Sequence, residues 1–573
     1  MRHESVSPSS DSSYKKEMLL SAAIFIVALL VRAAPLGRYV TPDEPIWVLR
    51  SVQFLDALTS GDWAAIPQTG HPGLTTMALG ALGVRIMTWL SPAEAAAHLD
   101  WLRSLAWLAP ENGEAFPHLM FFLPAGRWLV MVVTSLGIVA TYHVARLRLG
   151  SQAGRLLALF LALDPFFAGH AGLLHTDALQ ATFALLAVVL VIPRCGQDAR
   201  GPEDRQVQKQ INLGAIGASA LCLALAGMTK TLGLLIAPGA ALAFLLLAPL
   251  PIKQRLLTVT ALTVLTVVCI MVIYPPFWSA PAEAISTLIG AVGYHEGAGN
   301  RPTFFLGDYH ENPGGAFYPL VLLFRITPPV LLGCLLALRD RTKGKKLAVN
   351  AAWFLIPALL YLGALTIAEK KFDRYALSAI PLLTTIAALA WAQYSGTWRK
   401  VMLGALLLPW ALVAPLPLYY ATPLLGGPWT ARPLVPLGWG ENASITTLVA
   451  AQALEQPERA TLLAGDLPAA ASLFPGQTLP YKEESLPCAD LVIGSETPPA
   501  PGYTRIAAPT FAGLPLETAY LRRTSYPEGL PLLLAGHIPG APESAWIAPD
   551  TDLFRLRSEE RRVGKECRSW WSP

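Results

Sequence analysis

An aspartate and a glutamate stand side by side in Tyr39-Val-Thr-Pro-Asp-Glu-Pro45, just past the first of many membrane-length apolar runs. A carboxylate so placed can take the proton of a hydroxyl that attacks at the membrane surface, provided that cations stabilise the charge that leaves. Candidate cations are Lys230, Arg301, Arg325 and the group Lys370, Lys371 and Arg374 in Glu-Lys-Lys-Phe-Asp-Arg-Tyr375. A phosphate would satisfy several of them, because charge-assisted bonds are about twice as strong as neutral ones. Local sequence offers Asp43-Glu44 a second role. Thr41-Pro-Asp-Glu44 is a capping box with proline at the first helical position, and it would start a helix through Trp47, Val48 and Phe54. The two roles are compatible, since a carboxylate in the first turn is kept ionised by the exposed N–H groups, by roughly 0.3–1 kcal/mol.

Further titratable residues follow in the same kind of connection. His71-Pro-Gly opens the apolar segment 74–90, and Asp164-Pro-Phe-Phe-Ala-Gly-His170-Ala-Gly-Leu-Leu-His175-Thr-Asp177 brings two histidines and two aspartates close in sequence. Asp177 is either the cap of the next helix or a second functional acid. His71, His175 and Tyr375 are candidate substrate-binding residues. The spacing matches no familiar zinc pattern, so neither a metal nor another cofactor is expected. Arg325, about seven residues inside an apolar run, would carry an insertion cost of roughly 2.5–3.5 kcal/mol at a helix centre. It must therefore face the bundle and an anion.

The elements that position these residues are membrane helices. Of 573 residues, 53% are hydrophobic and 14% charged, whereas soluble chains carry roughly 25% charged residues. Runs long enough to cross a bilayer fall at 18–35, 126–145, 156–172, 176–192, 211–227, 232–250, 256–274, 316–336, 347–367, 375–393 and 401–419, about eleven spans in all. The chain reads as an all-α polytopic membrane protein with a small C-terminal extracytoplasmic α/β domain. With Lys15 and Lys16 cytoplasmic, the cations Arg146, Arg148, Arg155, Lys253, Arg255, Arg399 and Lys400 fall on the same side. This holds if 74–90 is re-entrant or interfacial. Asp43, Asp177, Lys230 and Arg374 then share the extracytoplasmic side. The net charge of +4 gives no argument for nucleic acid. The six cysteines form neither a disulfide framework nor a CxxC pattern, and the first span, which contains Arg32, reads as a retained anchor.

Four regions differ in character. Residues 1–17 are polar and read as a disordered cytoplasmic tail; 18–420 form the membrane body; 421–557 alternate helix-like and strand-like stretches. Residues 558–573 read as a non-native tail resembling adapter read-through.

The order of these features resembles the GT-C glycosyltransferases, specifically the bacterial relatives of protein O-mannosyltransferases and of the aminoarabinose transferase acting on lipid A (family 39). The resemblance rests on Asp43-Glu44 after the first span, His71-Pro, the acidic connection ending at Asp177, Tyr318-Pro-Leu-Val-Leu-Leu-Phe-Arg-Ile-Thr-Pro, and Lys371-Phe-Asp-Arg-Tyr. It implies inverting transfer of a sugar from a polyprenyl- or dolichyl-phosphate donor to a hydroxyl of a lipid, glycan or protein. Asp43 would be the base, Glu44 would orient it or the acceptor, and Lys370, Lys371 and Arg374 would hold the leaving phosphate. It further implies a bacterial cytoplasmic membrane. An oligosaccharyltransferase or glycan ligase, and a transporter of lipid-linked sugar, are the alternative readings.

Overall fold

The computed structural model describes residues 9–68, 71–108, 112–193, 213–297, 302–339 and 345–522, less 415, 455, 495–497 and 512. Arg301 and the tail 558–573 lie outside the described residues.

Helix α1 (Ser9–Ala33) starts nine residues before the apolar run that predicts it. Its polar turn is helical because Glu17 meets a set of partners: Arg146 at 3.1 Å, Arg155 at 3.6 Å, and the Tyr142 hydroxyl, which donates to it at 2.5 Å. The expected disordered tail is therefore corrected for residues 9–17. These contacts also place the start of α1 beside the C-terminal end of α5 (Ala115–Leu149), the longest helix described.

At 35 residues and about 1.5 Å per residue, α5 is roughly 50 Å long. A bilayer core is about 30 Å thick. The excess serves as a post for a layer of three helices, α2 (Glu44–Ser60), α3 (Leu74–Leu90) and α4 (Pro92–Leu102), all of which pack on α5. The segment expected to be re-entrant or interfacial is thus one unbroken helix of 17 residues within this layer.

The remaining body is built from α6 (Ser151–Leu163), α7 (Pro165–Ala171), α8 (Asp177–Val191), α9 (Leu213–Thr229), α10 (Ile236–Leu247) and α11 (Ile252–Ile273). It continues with α12 (Phe317–Arg325), α13 (Pro328–Arg339), α14 (Lys345–Ile367) and α15 (Ala379–Trp391). Among the described residues four helices are long and apolar enough to cross a membrane, and the α12–α13 pair makes a fifth if taken as one span.

Three predicted spans are broken, each for a local reason. Asp164 interrupts 156–172 because its carboxylate accepts the Phe167 N–H at 2.8 Å and starts α7 with Pro165. Pro328 and Pro329 cannot continue α12, and the chain bends there by 116°. The run 401–419 is divided into Thr397–Ala405, Leu408–Val413 and Pro417–Tyr419.

The C-terminal region forms the expected small α/β unit. Its five-stranded sheet has the order β2-β1-β3-β5-β4, with β1 (Thr461–Ala464) parallel to β2 (Gln477–Pro480) and β3 (Leu491–Ile493). Strand β5 (Ala519–Arg522) runs antiparallel to β3 and to β4 (Tyr503–Ala507). Two helices, α16 (Glu441–Gln452) and α17 (Leu467–Ala471), cover it. Tyr39 and Leu173 of the membrane body lie in the same apolar cluster as Ile445, Leu462, Leu491 and Leu521 of this unit. The sheet is seated on the body through a shared core.

At this junction Glu441 is fully buried, and burial pushes its carboxyl up from 4.5 to about 7. The unfolded chain releases that proton first, so folded stability falls as pH rises from about 4.5 to about 7 and is level above. The shift is on the order of 3 kcal/mol. Thermal unfolding in detergent at pH 5 and pH 8 checks this: Glu441→Gln is expected to lose less stability between the two than the native chain.

Candidate active site

Helix α2 begins where the sequence predicts, but its cap divides the acidic pair. Asp43 is the N-cap residue and its side chain makes no capping bond. Glu44 turns inward instead. One of its oxygens accepts the Thr41 N–H and the Thr41 hydroxyl, each at 3.0 Å, and the other accepts the Leu174 N–H at 2.9 Å. Arg127, from the middle of α5, binds both oxygens, at 2.7 and 2.5 Å, and also donates to the Tyr39 carbonyl at 2.9 Å. Burial alone would raise the Glu44 carboxyl, yet Arg127 and these N–H donors outweigh it and hold it below the ordinary carboxylate value. Glu44 is thus a bracket between the Asp43 turn, α5 and the 173–177 connection.

That bracket leaves the Asp43 carboxylate facing the site. One oxygen lies 3.4 Å from Nε2 of His175 and 3.5 Å from the guanidinium of Arg374. On the other side of His175, Nδ1 lies 3.1 Å from Asp177, whose second oxygen receives the Lys230 ammonium at 2.5 Å. Arg374 Nε approaches Asp177 at 3.6 Å, so this arginine spans both acids. Asp43 is 32% exposed, against 12% for Arg374, 4% for His175, 3% for Asp177 and 1% for Lys230. It is the member of the cluster that a substrate can reach.

Burial would lower the His175 imidazole, but Asp177 and Asp43 on its two nitrogens outweigh this and raise it. Lys230 and Arg374 face the same two carboxylates. Nδ1 of His175, one Asp177 oxygen and Nε of Arg374 are buried without a well-aligned hydrogen bond. These atoms are held by charge attraction at 3.1–3.6 Å instead of by formed hydrogen bonds.

Aromatic rings wall the cluster. Tyr375 lies beneath the Lys230 ammonium at 4.1 Å, Phe372 lies 4.3 Å from the Arg374 guanidinium, and Trp47 meets His175 edge-on at 6.1 Å. His71 belongs to the same neighbourhood through its turn, because Gly73 N–H donates to the Thr229 carbonyl, next to Lys230, at 3.1 Å.

The basic cluster 370–374 separates. Residues 370–372 precede the 3-10 turn Asp373–Ser378, and Phe372 is extended at φ −133°, ψ 147°, so neighbouring side chains point to opposite sides. Lys370 and Arg374 both lie against the Phe372 ring, at 5.6 and 4.3 Å. Lys371 goes the other way, donating to Asn312 at 2.9 Å and to the Ala368 carbonyl, which corrects its expected place at the phosphate.

Arg325 is corrected as well. It faces the bundle and an anion, as its cost demands, but the anion is Asp373 at 2.5 Å. Its remaining donors go to the carbonyls of Leu418 at 2.9 Å, Pro436 at 2.8 Å and Tyr420.

Sequence reasoning missed Arg127, Asp373 and Trp439. For Arg127 a signal existed, since an arginine inside an apolar helix needs an anion just as Arg325 does. Trp439, whose ring lies 4.0 Å from the Arg374 guanidinium, gave none.

Fold and site together define a polytopic helical membrane protein with a buried cluster of acids and cations beneath a small α/β unit. No family model and no curated protein matches the chain. Among solved structures it is similar to ArnT from Cupriavidus metallidurans in the apo state, with 16% identity over 89% of this chain and 98% of that one and a TM-score of 0.46. ArnT from the same organism bound to undecaprenyl phosphate gives 17% identity over 80% and 74%, with a TM-score of 0.45. The apo oligosaccharyltransferase of Archaeoglobus fulgidus gives 11% identity over 83% and 69%, with a TM-score of 0.40.

Breaking the bracket tests its structural weight. Arg127→Met strands the Glu44 charge in the interior and is expected to cost about 3–5 kcal/mol. Thermal unfolding in detergent should show this, and Arg127→Met with Glu44→Gln should recover part of the loss.

Proposed function

We propose that the protein is an inverting glycosyltransferase that moves a sugar from a polyprenyl-phosphate carrier to an acceptor hydroxyl at the outer face of the membrane. The observation that carries this reading is the Asp43 carboxylate, the most exposed member of the cluster, set 3.5 Å from Arg374 and 3.4 Å from His175. In this reaction the acceptor oxygen attacks the anomeric carbon as the bond from that carbon to the carrier phosphate breaks. The acceptor's proton passes to Asp43, and the phosphate leaves with the negative charge.

Each group has a part in that exchange. Asp43, a carboxylate and so a weak base, takes the proton as attack proceeds. Arg374 and Lys230 supply fixed positive charge for the leaving phosphate, the kind of preorganised term that contributes most in such sites. Asp177 holds the two cations and His175 in place, and Glu44 positions Asp43 through its own backbone. Lys370, Tyr375 and His71 border the donor and acceptor approaches. No step calls for a metal. A transporter of lipid-linked sugar would gather its charges near the bilayer midplane between repeated halves; here they meet at one end of the bundle, where α2 and the 173–177 connection join it.

Purified protein in liposomes, given a radiolabelled polyprenyl-phosphate sugar and a cell-envelope extract as acceptor, provides the test. Asp43→Asn is expected to lower the rate at least about a hundredfold; equal turnover would remove Asp43 from the chemistry. Arg374→Ala should weaken donor binding more than acceptor binding, and the opposite preference would reassign it.

A further inference from the structure

The proposed chemistry leaves unused one aromatic residue that reaches the cluster from the segment joining the body to the α/β unit. Trp439 lies with its ring 4.0 Å from the Arg374 guanidinium and meets the His175 ring edge-on at 4.7 Å and 81°. Its backbone is fixed at several points. The Pro436 carbonyl is bound by Arg325 at 2.8 Å, and the Trp439 N–H is held by the Glu441 carboxylate. Gly438 and Gly440 flank it in left-handed conformations, at φ +76° and +92°. A side chain at 438 would run into the Tyr419 ring, at 2.6 Å, and one at 440 would meet Pro42 and the Val40 carbonyl, both at 2.9 Å. The indole is delivered to one place by a backbone that only this Gly-Trp-Gly sequence can follow.

What it does there follows from the distances around Arg374. Its approaches to Asp43 and Asp177 are 3.5 and 3.6 Å, longer than the 2.7–3.2 Å of formed N–H···O bonds. The carboxylates therefore attract the guanidinium without fixing its plane. Of its three ring contacts, Tyr375 is the farthest at 5.8 Å, and the two nearer ones, Phe372 at 4.3 Å and Trp439 at 4.0 Å, are close enough to do so. We infer that Trp439 is a positioning residue for the donor phosphate: it holds the face of the Arg374 guanidinium so that the N–H edge stays turned to the ligand. The segment that leads into the C-terminal unit thereby supplies part of the donor site. This inference rests on the proposed transferase reading.

The test compares Trp439→Phe, which keeps a ring, with Trp439→Leu, which keeps apolar bulk without one. Binding of polyprenyl phosphate itself, without sugar, is measured on the full chain alongside donor KM and kcat. Trp439→Leu is expected to weaken carrier binding and raise donor KM by about tenfold, the scale of a desolvated cation–π contact, with kcat at saturating donor nearly unchanged. Trp439→Phe should stay within about threefold of native in each measure. Equal losses in both variants, native binding by Trp439→Leu, or a fall in kcat at constant KM would each overturn the assignment. If Arg374→Ala weakens carrier binding while Trp439→Leu does not, the inference fails and the transferase reading stands. If the native chain binds no polyprenyl phosphate, both fail.

Discussion

The buried pair Glu44–Arg127 is the constraint on which the site depends. A carboxylate with no exposed surface and a guanidinium with almost none are tolerable only when their bonds are nearly all made. Here they are made by three separate pieces of chain: the turn at Tyr39 and Thr41, the middle of α5, and the Leu174 N–H. Satisfying one ion pair forces those pieces together. Asp43 is the residue before Glu44 and His175 the residue after Leu174, so the Asp43 carboxylate and its imidazole neighbour are brought face to face by a bond that neither of them makes.

A second layer of charge pairs fixes the other half. Asp177 at the start of α8 draws in Lys230 from the end of α9, and Asp373 draws in Arg325 from the break between α12 and α13. Arg325 then binds the carbonyls at Leu418, Tyr420 and Pro436, which carries the chain from the last helices toward the α/β unit. Only Arg374 is left with long approaches to its acids. The cluster thus contains cations in close ion pairs, Lys230 and Arg325, and one, Arg374, held at longer range by two acids.

Much of this was legible in the residues. Apolar runs of membrane length gave the helices, and the strand-like stretches at Thr461 and Asp490 gave two strands of the sheet. The sequence order of Asp43, His175, Asp177, Lys230 and Arg374 around successive helix ends correctly implied a common location. Three things were hidden, each because a partner distant in sequence decides it. Local sequence marks both Asp43 and Glu44 as acids of a helix start, and the pairing of Glu44 with the distant Arg127 and Leu174 is what draws it inward. Lys371 and Arg374 look alike until the extended backbone at Phe372 sends them to opposite sides. The break at Asp164 depends on one side chain satisfying the Phe167 N–H, a choice that hydropathy does not register.

The shared core of the body and the sheet has a temporal consequence. Tyr39 lies four residues before Asp43 and packs with Leu521 in the final strand. The first and last parts of the described chain therefore stabilise each other. During synthesis, the membrane helices can insert one after another while the Asp43 turn still lacks its cover. The Asp43 turn therefore acquires this shared apolar cover only once the last strand of the sheet has been made.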